Sequence, residues 1–405
     1  MHIIIVNDFA YVDGGASQIA LASARGLAER GHRITFFSAV GPVDNALLGH
    51  GNIQVHCLGQ LDVLRDPNRL RAILRGVWNT KAANYFDQLL GQADPRDTVV
   101  HFHLWIKALT ASIFAKPKRR GIASVATLHD YFSACPTGSF YDFPAKQICH
   151  RAPLGMACTF RQCDRRNYGH KLWRVLRQHA QRRLGQFPSS MRHFIIYSNL
   201  GETILRPFLP ADARVHRVGN PIDFPKQPAA NVALNRHFTF VGRLASEKAP
   251  QHFATAAARL GVDARFVGEG VLRGEIASIY PTAQITGWQN PKQVQAHLLS
   301  ARALVFPSVW YETQGLVVAE AAAFGVPAIV SNTSAATEFV IDGETGLTFK
   351  TGDLDDLQEK LKQMTNDAFV ARLGLAAYER HWADPPTIAR HAEKLEAVYS
   401  ECLKK

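Results

Sequence analysis

Residues 303–332, ALVFPSVWYETQGLVVAEAAAFGVPAIVSN, leave the chain few folds to choose from. An apolar run closing at Pro307, a loop, a stretch of helix formers and a second apolar run, PAIVS, give the order strand, loop, helix, strand. This is one βαβ unit of a parallel sheet. The helix, expected from about Gly315 to Phe324, is apolar nearly all round, so both of its faces must be covered. One carboxylate, Glu320, stands in it among Leu316, Val317, Ala319, Ala321 and Ala323. Burying that charge unpaired would cost on the order of several kcal/mol, so the partner expected for it is a ligand.

Helical Cβ atoms tilt toward the N-terminus, and Glu320 therefore leans toward the loop Tyr311-Glu312-Thr313-Gln314-Gly315. Free amides at a helix start attract an anion, Gly315 allows close approach, and strand carboxyl ends are where open α/β sheets bind ligands. An anion cradle between two carboxylates suits a diphosphate with hydroxylated sugars at both ends. Two glutamates at this spacing are otherwise an ordinary solvated face. The apolar helix argues against that here.

Glu312 and Glu320, with Gly315 between them and an Ala-rich tail running to Gly325-Val326-Pro327, resemble the E-x7-E signature of retaining glycosyltransferases of family 4, which have the GT-B fold. A second motif precedes it: HFTFVG predicts a strand, Pro250 opens a helix, and the loop between carries Arg243 and Lys248 as VGR-x-x-x-E-K. A guanidinium fork and a mobile ammonium on one loop can grip both halves of a diphosphate, although Glu247 also stands ready to neutralise Lys248. Two motifs in register are more specific than either alone. The resemblance implies that Glu320 binds the nucleotide ribose, Glu312 the transferred sugar, and Arg243 and Lys248 the diphosphate, with Thr313, Gln314, Gly315 and Leu316 beside the donor. Thr313-Gln314 replaces the Gly and aromatic or Ser of many relatives, which leaves the transferred sugar open.

At 405 residues the chain has length for two domains, and 47% hydrophobic with 20% charged residues describes an ordinary globular protein. No apolar run reaches the length of a membrane span, and MHIIIV followed by Asn7-Asp8 lacks the basic start and length of a signal peptide, so a cytoplasmic protein is expected. The net charge of +12 is unevenly placed. Residues 1–220 carry 28 Lys+Arg against 14 Asp+Glu, whereas the rest carry 18 against 20, so the first half faces something acidic. In 161–183, eight basic residues stand against Asp164, Leu172, Val175, Leu176 and His179 recur at helical spacing, and Trp173 lies among them. That is either a basic amphipathic helix for an anionic inner leaflet or a solvated face packing on its own domain. Nucleic acid is not expected, because no zinc-finger, helix-turn-helix or RNP-like pattern is present.

The chain opens with a strand, HIIIV, then a loop holding Asp13-Gly14-Gly15-Ala16, a helix to about Arg30 and a strand, ITFFSA. G-x-G-x-x-G is absent, so the glycine pair suits either a tight turn or close approach of a phosphate or sugar. The resemblance places Gly14 and Gly15 across the cleft from the donor phosphates and near the acceptor. Strands IQVHCL, TVVHFHLW and ASVATLHD alternate with helices expected over 68–91 and 107–119. The last strand ends in His129-Asp130, and the resemblance gives His129 a hydrogen bond to the donor sugar, while Asp130 is read as holding either the loop or His129. Cys135, Cys149, Cys158 and Cys163 follow without a C-x-x-C pair, leaving a structural metal, buried small hydrophobes and redox chemistry all open. Asp353-Leu354-Asp355 is expected to cap a helix rather than bind a metal.

These readings converge on an α/β chain of GT-B architecture, two Rossmann-like doubly wound domains facing a central cleft. Residues 1–218 are the acceptor side, 219–236 a hinge with a family-like Gly219-Asn220-Pro221-Ile222-Asp223, and 237–383 the nucleotide-sugar domain, with a helix at about 384–405 returning to the first. The resemblance implies metal-independent transfer of a hexose-type sugar, with retention, by His129, Glu312, Arg243 and Lys248. The donor is a UDP-sugar or, next, a GDP-sugar, and the acceptor a glycan or lipid-linked saccharide of a bacterial surface polymer or glycolipid, at the inner face of the cytoplasmic membrane. The rivals are an epimerase or phosphorylase on the same fold, or a non-catalytic nucleotide-sugar-binding partner of a transferase. A phosphorylase would show a pyridoxal lysine or a free-phosphate pocket, and neither is identifiable.

Overall fold

In the computed structural model, which describes residues 1–222 and 224–404, every residue of the opening strand β1 (His2–Phe9) is buried. An uninterrupted run of that kind belongs in a parallel sheet covered on both faces. With β2 (Arg33–Val40), β3 (Ile53–Cys57), β4 (Thr98–Phe102), β5 (Ala123–Thr127), β6 (His193–Ile195) and β7 (Arg214–His216) it forms a parallel sheet of order β3-β2-β1-β4-β5-β6-β7. The order reverses beside β1, so ligands are expected past the carboxyl ends of β1 and β4.

The chain divides into two compact units, Met1–Ser139 with His150–Pro221 and Pro386–Lys405, and Phe140–Cys149 with Ile222–Pro385. In the first, helix α1 (Gly15–Glu29) is covered by the C-terminal helix Ile388–Leu403; a Cβ on Gly26 would lie 2.7 Å from Ile388 Cγ2. His391 ties that helix down through Ser23 Oγ at 2.8 Å and the Gly219 carbonyl at 2.9 Å. Asp223 of the hinge element lies outside the described residues.

Two local expectations for this unit need correction, and a third helix packs in an unexpected way. Residues 68–91 form two helices, α2 (Arg69–Val77) and Thr80–Leu90, because Asn79 leaves the helix to cap the second by accepting from Ala82 N and donates to Gln60 Oε1 and the Ala108 carbonyl. Within 107–119 only Ala111–Ile113 and Ala115–Arg119 are helical, since the Asp8 carboxylate accepts the Lys107, Ala108 and Leu109 amides at 2.7, 3.0 and 2.8 Å and holds them as a loop. Helix α3 (Tyr168–Arg183) divides its apolar positions, with Val175 buried and two leucines outside. Its buried side carries Lys171, Arg177, Gln178 and Gln181, while Leu172 and Leu176 are 42% and 57% exposed. The cause is the irregular loop after β5, whose carbonyls lack ladder partners. Gln178 and Gln181 donate to the Phe132 carbonyl at 3.1 and 2.9 Å, and Arg177 to that of Ile106 at 3.2 Å.

The second unit holds β8 (His237–Val241), β9 (Ala264–Val267), β10 (Gln284–Gly287), β11 (Ala301–Phe306), β12 (Ala328–Ser331) and β13 (Gly346–Phe349), all parallel in the order β10-β9-β8-β11-β12-β13. Helix α4 (Pro250–Leu260) starts at its proline, as the sequence suggests. Between β11 and β12 lies α5 (Leu316–Ala323), none of whose residues is exposed, which completes the expected βαβ unit. Asp353 caps Leu354–Gln363 by accepting the Asp356 amide at 3.1 Å. Among the described residues no helix is long and apolar enough to cross a membrane.

Candidate functional site

The loops after β8 and β9 run backbone against backbone. Gly268 has φ +147, and a Cβ there would lie 1.9 Å from the Gly242 carbonyl oxygen, while one on Gly270 would lie 2.2 Å from that of Leu244. Bonds from Gly242 N to Val267 O and from Leu244 N to Glu269 O lock this contact and with it the course of Arg243 to Lys248. Arg243 donates to Glu247 Oε1 at 2.6 Å; Glu247 is fully buried and the guanidinium half-exposed, so one edge is anchored and the other faces solvent. Glu247 therefore pairs with Arg243 and not with Lys248, the partner expected from its position beside it. Tyr141, on the short hairpin Tyr141–Asp142 with Gln147–Ile148, brings its hydroxyl up to Ser246 of the same loop.

Lys248 pairs instead with Glu312. Ser308 Oγ at 2.9 Å and Trp310 Nε1 at 2.6 Å also donate to Glu312, all three on Oε1. The buried carboxylate is thus held by one cation and two neutral donors, which offsets a desolvation cost of several kcal/mol on the usual scale. Its Oε2 makes no hydrogen bond among the described residues.

Thr313 and Gln314 continue that loop into Gly315, which precedes α5 at φ +79. A Cβ there would lie 2.6 Å from Ala336 Cβ, so backbone conformation and packing already require the glycine. Leu316 opens α5 with no side-chain cap and no acidic residue in the first turn, leaving the positive end of the helix unneutralised. The Glu320 carboxylate makes no hydrogen bond or ion pair among the described residues, and burial pushes its pKa up to about 6.

In the first unit, strand order does the assembling. His129 follows β5, and its Nδ1 lies 2.8 Å from the Tyr197 hydroxyl past β6, its Nε2 3.0 Å from His103 Nδ1 past β4. Tyr197 in turn bonds the Asn220 side chain past β7. His101, on β4, bonds Tyr399 and Thr127, each at 2.7 Å, and its ring lies 4.1 Å from that of His103. Burial lowers His129 to about 3 and holds His101 and His103 well below the usual range, so these rings are neutral at pH 7. Asp130, raised to about 6 by burial, accepts the Phe132 amide at 2.9 Å; it holds the loop. Gly14 has φ +140, and neither it nor Gly15 has any atom within 4 Å of where a Cβ would stand. A cavity of about 190 Å³ lined by Asp8, Lys107, Asp130 and Arg177 adjoins one of about 430 Å³ lined by Leu64, Arg69, Ile73 and Arg166, and both touch Trp173.

Among the described residues, no cluster of metal-binding side chains includes Cys135, Cys149, Cys158 or Cys163. None of the four forms a disulfide, and the cluster of metal-binding side chains found among the described residues lies elsewhere. Cys158 and Cys163 instead take hydrogen bonds from the buried Lys171 ammonium, at 3.3 Å for Cys158.

The family model Glycosyltransferase Family 4 matches residues 13–224, and the model Glycosyl transferases group 1 matches residues 235–367. The chain is 27% identical over 278 residues to glycogen synthase of Mycobacterium tuberculosis, spanning 64% of this chain and 64% of that relative's length. It is 34% identical over 144 residues to the GDP-mannose-dependent alpha-mannosyltransferase of Mycolicibacterium smegmatis, 33% of this chain and 38% of the relative. Among solved structures, HepE of Anabaena in complex with UDP superposes with a TM-score of 0.68 at 15% identity, covering 99% of this chain and 100% of that one. That likeness shows the fold, which is GT-B.

Proposed function

Because this chain belongs to glycosyltransferase family 4, we propose that it moves a hexose-type sugar from a nucleoside-diphosphate sugar to a glycan or lipid-linked acceptor with retention at the anomeric carbon. The observation that carries this reading is the state of the two glutamates. Among the described residues, Glu312 has one oxygen held by three donors and a second that makes no hydrogen bond, and the Glu320 carboxylate makes neither a hydrogen bond nor an ion pair. Two such carboxylates flanking the uncapped start of α5 suit hydroxyls at both ends of a diphosphate. Glu320 takes the ribose and Glu312 Oε2 the sugar.

Arg243, Lys248 and the first amides of α5 stabilise the departing diphosphate electrostatically, the help a divalent ion gives elsewhere. Glu312 is a poor nucleophile with three donors on one oxygen, so attack comes from the acceptor on the face the leaving group departs, and the leaving phosphate takes the acceptor's proton. His129 contributes a neutral hydrogen bond to the sugar by exchanging one of its present partners, His103 or Tyr197. It carries no charge at pH 7. A UDP-sugar is favoured and a GDP-sugar next, in line with the UDP bound by HepE and the GDP-mannose named for the mannosyltransferase.

The acceptor side belongs to the first unit. Leu70 and Leu74 of α2 and Leu172 and Leu176 of α3 are exposed, and the two helices are joined by a bond from Trp173 Nε1 to the Ile73 carbonyl. With Arg69 and Arg166 beside them, this surface suits peripheral contact with an anionic membrane carrying the acceptor. The test is to supply UDP- and GDP-sugars and follow products by NMR. An anomeric configuration matching the donor's is expected; an inverted product would overturn the mechanism, and no consumption of any donor would overturn the activity.

A further inference from the structure

At the edge of the first sheet, a second cluster stands among residues with no part in the chemistry above. His193 opens β6 and His216 closes the edge strand β7, and their rings stack at 5.3 Å with planes 9° apart. His193 Nδ1 lies 3.0 Å from His216 Nε2. Glu401, on the C-terminal helix, places Oε2 3.8 Å from His216 Nδ1, while Oε1 accepts from Arg214 at 2.9 Å. One ligand atom from each of the three residues falls within 4.8 Å of the others.

We propose that His193, His216 and Glu401 bind a divalent transition-metal ion of the zinc class. Two nitrogens on a tetrahedral zinc, each about 2.0–2.1 Å from it, stand about 3.3–3.4 Å apart, so closure asks the two imidazoles to give up their mutual hydrogen bond, separate by a few tenths of an ångström and turn one nitrogen each, with Glu401 Oε2, onto a common point. Two imidazoles and one carboxylate suit zinc and its neighbours, whereas magnesium and calcium take oxygen ligands. Arg214 keeps the other Glu401 oxygen and orients the carboxylate, as outer partners of metal ligands do. The Glu401 side chain is 40% exposed and that of His216 12%, which gives an ion a way in and leaves water the fourth position. The ion's work is structural: it staples the C-terminal helix to an edge strand otherwise held on one side only.

The test uses the full chain without an affinity tag, stripped with chelator and dialysed. Titration with zinc chloride by calorimetry should show one equivalent bound with a Kd of about 1 µM or tighter, and a zinc-dependent rise in Tm. His193→Gln with His216→Gln should abolish both, and Glu401→Gln should weaken binding about tenfold or more. Cobalt(II) bound to the wild-type chain should show no thiolate charge-transfer absorption. That reading needs no variant, so it stands even if the double substitution fails to fold. Zinc binding no tighter in the wild type than in the double variant, a thiolate band from cobalt, or no binding to the wild type would each overturn the proposal.

Discussion

The two units prepare their groups for substrate in opposite ways. In the second, the groups assigned to the donor are charged, and the cations already sit on protein carboxylates: Arg243 on Glu247 and Lys248 on Glu312. In the first, the rings around His129 are neutral and spend their nitrogens on one another and on Tyr197. Those two pairs offset the several kcal/mol, on the usual scale, that a buried charge costs alone, whereas Glu320 has no such pair among the described residues and its pKa is pushed up to about 6 instead. A neutral site exchanges one hydrogen bond for another at a net cost nearer 1 kcal/mol. Substitutions in the second unit should therefore act through charge on the leaving group, and those in the first through position.

The largest effect should come from the cations. Arg243→Ala and Lys248→Ala should each lower kcat/KM by about 10²–10³ with the fold retained by circular dichroism. Near-normal turnover in both would erase the contrast. His129→Ala should cost less, about tenfold to a hundredfold in kcat, with donor affinity nearly unchanged in calorimetry. A collapse of donor binding instead would move His129 from the reacting sugar to the architecture of the unit.

Glu320→Gln sharpens the contrast by separating stability from function. Its carboxyl has a folded pKa of about 6 against an ordinary 4.5, so the folded chain binds the proton more tightly. Stability is therefore lost as pH rises from 4.5 to 6 and stays lowered above that. Removing the charge should stabilise the ligand-free protein by about 1–2 kcal/mol at pH 8 and not at pH 4, while weakening nucleotide binding about tenfold. Equal melting temperatures for the two proteins at pH 8 would show that the carboxylate has a partner. The smallest effect on chemistry should follow Leu172→Glu with Leu176→Glu: co-sedimentation with anionic vesicles should fall, as it does in high salt, while turnover of a soluble acceptor stays within about twofold. Unchanged sedimentation would remove the membrane from the account.

What could be read from the chain follows the same division. The β11-α5-β12 unit, the loop of Arg243 and Lys248, and the apolar setting of Glu320 are each written in one contiguous stretch, where periodicity and turn chemistry speak directly. The union of His129 with His103, Tyr197 and Asn220 is not. It arises because β4, β5, β6 and β7 lie side by side, and strand order is not a local property. A signal was present in TVVHFHLW, whose second histidine stands at a strand end as His129 does. The Glu312 partners Ser308 and Trp310 were within reach, four and two positions away, but the Lys248 partnership crosses the sheet. At α3 polarity did not tell which side is buried, because loop carbonyls drew Gln178 and Gln181 inward beside Val175 and left two leucines outside.

The central claim is that the second unit holds a nucleoside diphosphate on Arg243 and Lys248. Calorimetric titration of the wild type and of the Arg243→Ala/Lys248→Ala double variant with UDP, GDP and ADP tests it most directly. Saturable binding of UDP to the wild type, weakened at least about tenfold in the double variant, is the predicted result. Equal affinity for both proteins, or no binding of any of the three nucleotides to the wild type, would contradict it.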